Sequence, residues 1–296
     1  MTGELVLRTN LGDHSPFASI KAGALGLAGM RLDFCGPKSP PSGFKDMVRN
    51  GAYDLGELAL GTYLQAVIYH KPIILLPVTI TARLQHAMVV CRRDRRFDPA
   101  QAAGKRIGVR SYTQTTGIWV RGILDETYGV DPGDVTWVVT EEAHLAEYVD
   151  PDNVQRAGVA NDQMLSLLMD GKIDAAVFGA DLPRDQPDIV PLIPSPDAAA
   201  RDWYDRHGYV PINHMLAIRR DVADRHPKQV HDLYRLFAQA AVAAPKGDDG
   251  IDYLPFGFEA VRAPVEAMIS HAVRQKIIPR HLSFDEVFGE AERLLA

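Results

Sequence analysis

Four residues of this chain have the chemistry to move protons: His14, Glu57, His86 and His214. An imidazole titrates near pH 6.5, so it can take or give a proton at neutral pH, and a second imidazole or a carboxylate can set its tautomer. His86 and His214 open two segments that read alike, HAMVVCRR at 86–93 and HMLAIRR at 214–220. Each is a histidine, an apolar stretch and two arginines. The likeness predicts a pair of crossover strands between two lobes, with the two imidazoles facing each other across a cleft. Without such a pairing, a satisfied core position is the ordinary reading of a lone histidine. His14 follows the first expected strand and Glu57 follows YDLG, where open α/β sheets present ligand groups beyond the carboxyl ends of their strands. A helix cap within Asp13-His14-Ser15 and a solvated loop acid are the competing readings. Together the four could hold a divalent metal, but no H-x-x-x-H or H-x-E spacing supports one. A site without cofactor is therefore expected, and a metal on His14, Glu57, His86 and His214 is the lesser alternative.

A second group of residues is suited to binding an anion. Arg110, Ser111, Tyr112, Thr113, Gln114, Thr115 and Thr116 lie between an expected strand and a helix that starts near Thr115. Hydroxyls and unsatisfied N–H groups at a helix start attract a carboxylate, although threonines there also serve simply as caps. Asp181, after the expected strand IDAAVFGA, could accept a hydrogen bond from a ligand hydroxyl or be an acid of a turn. Trp119 and Arg121 are two positions apart on the helix and so point different ways. The expectation is Trp119 in the core and Arg121 either structural or paired with an acid such as Asp125 at i+4, with contact to a ligand carboxylate as the lesser alternative. His207, His226, His231, His271 and His281 sit in polar surroundings and read as solvated.

These residues need a scaffold, and the pattern of elements describes one. ELVLRTN alternates like a strand, followed by a loop and helix in DHSPFASIKAGAL with Asp13 or Ser15 as cap and Pro16 in the first turn. Strands are expected at MRLDFCG, YDLGELAL and IILLPVTI, with a helix through FKDMVRNG ending on Gly51. LQHAMVVCRR at 84–93 reads as a further strand, and then the pattern restarts: GKRIGVRS, a helix through TTGIWVRGILDETYG, VTWVVT, a helix NDQMLSLLMDG and the strand IDAAVFGAD. GYVPINHMLAIRR is a strand again, and 221–296 is helical apart from PKGDDGIDYLP near 245–255. The fold class is α/β, with two lobes, each a mostly parallel sheet flanked by helices, joined by two crossover strands. Lobe one is expected over 1–85 plus 215–296 and lobe two over 86–214, with hinges near 84–93 and 209–220.

Composition narrows the function classes. At 296 residues, 46% hydrophobic and 24% charged, the chain can build two cores and is not a disordered sequence. A net charge of −6 with scattered Lys and Arg argues against nucleic acid. The longest apolar runs fall short of the roughly 20 residues that span a bilayer, and no secretory signal is read in MTGELVLRTNLGDH, which predicts a cytoplasmic protein. Cys35 and Cys91 fit no disulfide or metal pattern, and no Walker or G-x-G-x-x-G motif suggests a nucleotide.

YDLGELALGTY, GKRIGVRSYTQTTGIWVRGILDETYGV, GKIDAAVFG and GYVPINHMLAIRR resemble the 4,5-dihydroxyphthalate decarboxylase family. The resemblance spans most of the chain, is densest at 104–130 and 203–227, and is weak at 28–50 and 141–160. It implies a type 2 periplasmic-binding-protein fold without export, and non-oxidative removal of CO2 from a phthalate-like aromatic acid. Such a reaction must protonate the ring carbon that loses CO2, which suits His86 or His214 as acid or base. The family tends to carry Pro-Glu where this chain has Arg110 and Ser111, and Asn where it has Gly117, which leaves the ring substitution of the substrate open. The expected partner is a small aromatic carboxylate, with neither nucleic acid nor membrane, and assembly as a homo-oligomer stays open. The alternative is a non-catalytic solute-binding protein for a small aromatic or organic acid; a regulator's sensor module ranks below it, because no DNA-binding helix pair accompanies the lobes.

Overall fold

IILLPVTI forms the first eight positions of a ten-residue strand, Ile73–Ala82, and all eight are buried, as in a strand covered on both faces. It lies at the edge of its sheet, which accommodates Pro77, a residue with no N–H to give a central ladder; the pairing register skips there, from Thr79 to Leu75. The computed structural model describes residues 4–183, 185–244 and 249–296. Its strands are β1 (Leu5–Asn10), β2 (Met30–Phe34), β3 (Leu55–Ala59), β4 (Ile73–Ala82), β5 (Val89–Arg92), β6 (Arg106–Val109), β7 (Thr136–Val139), β8 (Val154–Arg156), β9 (Ala175–Val177), β10 (Ile189–Pro191) and β11 (Ile212–Arg219).

The chain divides into two units. The first comprises Met1–Arg83, Ile212–Ala267 and Leu282–Ala296, and the second Leu84–Pro211 and Met268–His281. Unit one is built on the sheet β2-β1-β3-β11-β4, in which β11 runs antiparallel to both its neighbours and β1 pairs parallel with β2 and β3. Helices Leu60–Ile68, Pro227–Ala243 and Phe284–Leu295 belong to the same unit, the last opened by a Ser283/Glu286 capping box. Unit two is built on β10-β5-β9-β6-β7-β8, parallel across β9, β6, β7 and β8.

Several expectations need correction. The stretch 84–93 is not one strand: His86–Met88 is a single tight helical turn and only Val89–Arg92 pairs, so His86 precedes its strand whereas His214 lies within β11. His214 falls in unit one. Residues 268–281 fall in unit two rather than with the C-terminal helices, because Trp119 packs edge-on against His271 and Arg121 bonds Gln275. Helices Leu60–Ile68 and Pro196–His207 had no counterpart in the sequence reading. The N-cap before Pro16 is His14, with no side-chain cap bond, and Asp13 pairs instead with Lys21. Of the expected 245–255 loop, positions 245–248 lie outside the described residues. No helix among the described residues is long and apolar enough to cross a membrane.

Arg121 is the buried polar centre of unit two. It is 0% exposed, donates from Nε to Gln275 Oε1 at 2.6 Å and from Nη2 to the Tyr112 carbonyl at 2.5 Å, and lies over the Tyr112 and Trp137 rings at 4.1 and 4.9 Å. The expected Arg121–Asp125 pair does not form, since Asp125 and Asp131 both take Arg274. His271, expected in solvent, is buried, and burial pushes its imidazole down to about 4.

In unit one β1 and β3 approach at Asn10 and Gly56, where a Cβ would stand 2.6 Å from the Asn10 carbonyl oxygen. Gly56→Ala should therefore cost about 1–3 kcal/mol of stability, the range for overpacking. A urea midpoint lowered accordingly is the expected result, read by circular dichroism.

Candidate active site

Three strands of unit one bring three of the four proton-moving candidates together. β3 carries Glu57, the loop after β1 carries Gly12 and His14, and β11 carries His214, registered opposite Ala59 of β3 and Thr81 of β4. Glu57 lies opposite Leu216, so Glu57 and His214 are diagonal cross-strand neighbours on one face of the sheet, within reach of long side chains. Glu57 Oε1 is 2.7 Å from His14 Nε2 and accepts the Gly12 N–H at 2.8 Å; Oε2 is 2.6 Å from His214 Nδ1. Phe44 meets the His214 ring edge-on at 5.1 Å. Gly12 has no room for a side chain, because a Cβ would stand 2.9 Å from His14 Nε2.

Glu57 is 1% exposed, while the His14 and His214 side chains keep 24% and 19% of their surface. Burial alone would raise the Glu57 pKa, but the hydrogen bonds from His14 and His214 and the positive charge of their rings outweigh it. The carboxyl therefore ionises far below the ordinary range. An ionised carboxylate only accepts hydrogen bonds, so His14 presents Nε2–H and His214 presents Nδ1–H to it. His14 Nδ1 and His214 Nε2 are left as the nitrogens available for chemistry. Glu57 thus holds each imidazole through one ring nitrogen.

His86 is not part of this group. It belongs to unit two, is 2% exposed, lies against Trp203, and its Nδ1 has no hydrogen-bond partner among the described residues. Burial first, then the charges of Arg206 and His207, push its imidazole down to about 4. At neutral pH it is therefore the neutral imidazole. Among the described residues no group of three or more His, Cys, Asp or Glu is arranged to hold a metal ion, and both Glu57 oxygens are spent on N–H donors.

The 110–116 segment runs from β6 into helix Thr115–Tyr128, which lacks a side-chain cap bond from Gln114. Ser111 and Thr113 hydroxyls bond each other at 3.2 Å, and Ser111, Thr113, Thr115 and Thr116 are all buried. Tyr112 is turned into its own unit, donating its hydroxyl to the Gln275 carbonyl. Arg110 is half-buried with Glu141 3.9 Å away. Asp181 accepts the Gly179 N–H at 2.8 Å, the bond of a turn acid. Glu57 is not the solvated loop acid of the competing reading but a buried strand residue. Gly12 and Phe44 were missed by sequence reasoning. The Asn-Leu-Gly-Asp-His run at the end of a strand was the available signal for Gly12, and nothing in the sequence pointed to Phe44.

No known family profile matches the chain. Among solved structures it is similar to the alkanesulfonate-binding protein SsuA of Xanthomonas axonopodis pv. citri bound to MOPS, with TM-score 0.61 and 11% identity over 98% of each chain. A Candida albicans protein with the generic periplasmic binding protein fold matches with TM-score 0.55 and 12% identity, over 98% of this chain and 94% of that one. The fold is thus of the periplasmic-binding-protein class. Two curated relatives go further. A 4,5-dihydroxyphthalate decarboxylase of Comamonas testosteroni is 32% identical over 225 residues, 70% of this chain and 66% of that protein. One of Pseudomonas putida is 31% identical over 184 residues, 58% of this chain and 71% of that protein. The chain belongs to the 4,5-dihydroxyphthalate decarboxylase family.

The lowered Glu57 pKa fixes a sign for acid unfolding. Its stabilisation is complete above the ordinary value of 4.5 and is lost as pH falls below it toward the folded-state value. Unfolding free energies measured in urea should fall from about pH 5 to about pH 3, and fall less steeply in Glu57→Gln. Parallel acid limbs for the two proteins would contradict the charge assignment.

Proposed function

We propose that this chain removes a carboxylate, as CO2, from a phthalate-like aromatic acid, with His14 and His214 as its acid–base pair and Glu57 positioning both. The observation that carries the reading is the doubly bonded Glu57 carboxylate, which holds two partly exposed imidazoles at 2.7 and 2.6 Å. Family membership supports the reaction type, since both curated relatives are named for this decarboxylation.

The balance of the reaction is simple. The ring carbon bearing the carboxylate takes a proton, the bond to the carboxylate breaks with its electron pair returning to the ring, and CO2 departs. One proton replaces one CO2. An imidazolium held against a carboxylate can deliver that proton, and the second imidazole can take a proton from a ring hydroxyl. Glu57 fixes which nitrogen of each ring faces outward. The scheme uses no organic cofactor and no metal. Cys35 and Cys91 are unpaired, as thiols of a cytoplasmic protein are, and we take the cytoplasm as the place of work.

The test is CO2 release from phthalate, 4,5-dihydroxyphthalate and hydroxybenzoates. His14→Ala and His214→Ala should each lower kcat by about 10²- to 10⁴-fold, the span of general acid–base catalysis. Glu57→Gln should lower kcat more than it raises KM, whereas His86→Ala should stay within about tenfold of the parent, and a chelator should leave the rate unchanged. Tight binding of an acid without CO2 release would leave a solute-binding protein instead. Full activity in His14→Ala and His214→Ala would remove the pair from the mechanism.

A further inference from the structure

β2 is the outermost strand of the unit-one sheet, and among the described residues no strand pairs with its far side. The Gly29 carbonyl accepts the Leu5 N–H at 2.8 Å, so the alternation of a strand turns the peptide groups of Arg31 and Asp33 toward β1. Those of Met30, Leu32 and Phe34 point outward. The Met30 N–H donates to the Leu27 carbonyl at 3.2 Å, which leaves the Met30 carbonyl and both groups of Leu32 and Phe34 to an added strand.

An open edge invites pairing, and proteins commonly defend one with charge. Here the charges select a second copy of the same strand. β2 reads Met-Arg-Leu-Asp-Phe, with a cation and an anion at equal distances on either side of Leu32. In an antiparallel pair of two β2 strands centred on Leu32, Arg31 of each copy stands opposite Asp33 of the other, where opposite charges attract. Centring on Arg31 or Asp33 instead sets like charges face to face. Centring on Met30 sets Gly29 and Leu27 opposite the two charges, and centring on Phe34 sets Pro37 and Cys35 there. One register satisfies both. In the single chain Arg31 lies 3.6 Å from Asp33 and 3.7 Å from Glu4, all about half exposed, and such surface pairs exchange readily for a facing partner.

We propose that two copies of this chain associate through their β2 edges, antiparallel and centred on Leu32, so that their sheets join into one. Leu32 exchanges two N–H to carbonyl bonds with its twin, and each Phe34 N–H meets a Met30 carbonyl. A five-residue ladder alone buries less than the total of about 1,200 Å² that a stable association needs. An apolar groove of about 430 Å³ beside the strand, lined in part by Ile20, Leu25, Leu27, Leu32, Leu233 and Leu236, supplies further area. With the two-fold axis normal to the sheet at Leu32, the grooves of both copies lie on the same face and meet across the seam. None of these residues belongs to the Glu57 group, so the association stands or falls apart from the proposed reaction.

Sedimentation velocity on the full chain, over a rising series of protein concentrations, reads the association. The parent should pass from 32.6 kDa to twice that mass. Arg31→Asp and Asp33→Arg each set like charges opposite in both halves of the symmetric pair, and each should weaken the dimer by about tenfold or more. The double variant exchanges the charges and should return the affinity to within about threefold of the parent. Should a single variant not fold, as read by circular dichroism, the parent itself reports the register. Cys35 is exposed and Cys91 buried, so a spin label goes on Cys35, which the pairing places opposite Gly29 of the second copy. The two labels should lie about 20–30 Å apart, six residues of strand plus the label arms. A parent that stays at 32.6 kDa at every concentration, a dimer that both single variants retain, a double variant as weak as the singles, or labels much farther apart would each overturn the proposal.

Discussion

Burying a carboxylate takes it out of water at a cost of several kcal/mol unless donors replace the lost solvent, and Glu57 has three: the Gly12 N–H, His14 Nε2–H and His214 Nδ1–H. That requirement shapes unit one around it. β3 has to place Glu57 one diagonal step from His214 of β11, and the chain leaving β1 has to turn so that Gly12 and His14 both reach Oε1. Two glycines make this geometry accessible: Gly56 lets β3 close on Asn10, and Gly12 leaves space beside the imidazole. His14 Nδ1 and His214 Nε2 are the nitrogens not turned to Glu57, because its charge fixes the other two.

Unit two has its own buried charge, and it is solved differently. Among the described residues Arg121 has no carboxylate at hydrogen-bond distance; a glutamine oxygen, a peptide carbonyl and the faces of Tyr112 and Trp137 stabilise it. Its role is structural, since it ties the loop before helix Thr115–Tyr128 to the 268–281 segment. The contrast separates a polar centre that keeps its partners partly open, at Glu57, from one that is sealed, at Arg121.

The strands were largely legible because their patterns are strong. ELVLRTN, IILLPVTI and the GKRIGVRS-to-VTWVVT unit appear as β1, β4, β6, the Thr115–Tyr128 helix and β7. The helix through 196–207 was not, because its apolar positions are few and its burial rests on Ala200 and Trp203 alone. At the site, the residue types were legible and the grouping was not. His14 and His214 are 43 and 157 positions from Glu57, the carboxylate they share, distances that only sheet pairing can close. The likeness of HAMVVCRR to HMLAIRR does not extend to placement: His86 precedes its strand in a helical turn and His214 lies within β11, between β3 and β4, so similar letters do not give similar side-chain positions.

The tautomers of the two imidazoles test the central claim most directly. In a spectrum correlating imidazole nitrogens with their protons, recorded near neutral pH with His14 and His214 assigned by substitution, an ionised Glu57 requires protons on His14 Nε2 and His214 Nδ1. Both should appear as downfield, slowly exchanging N–H signals. A neutral His14 protonated on Nδ1, or a neutral His214 protonated on Nε2, would contradict the account.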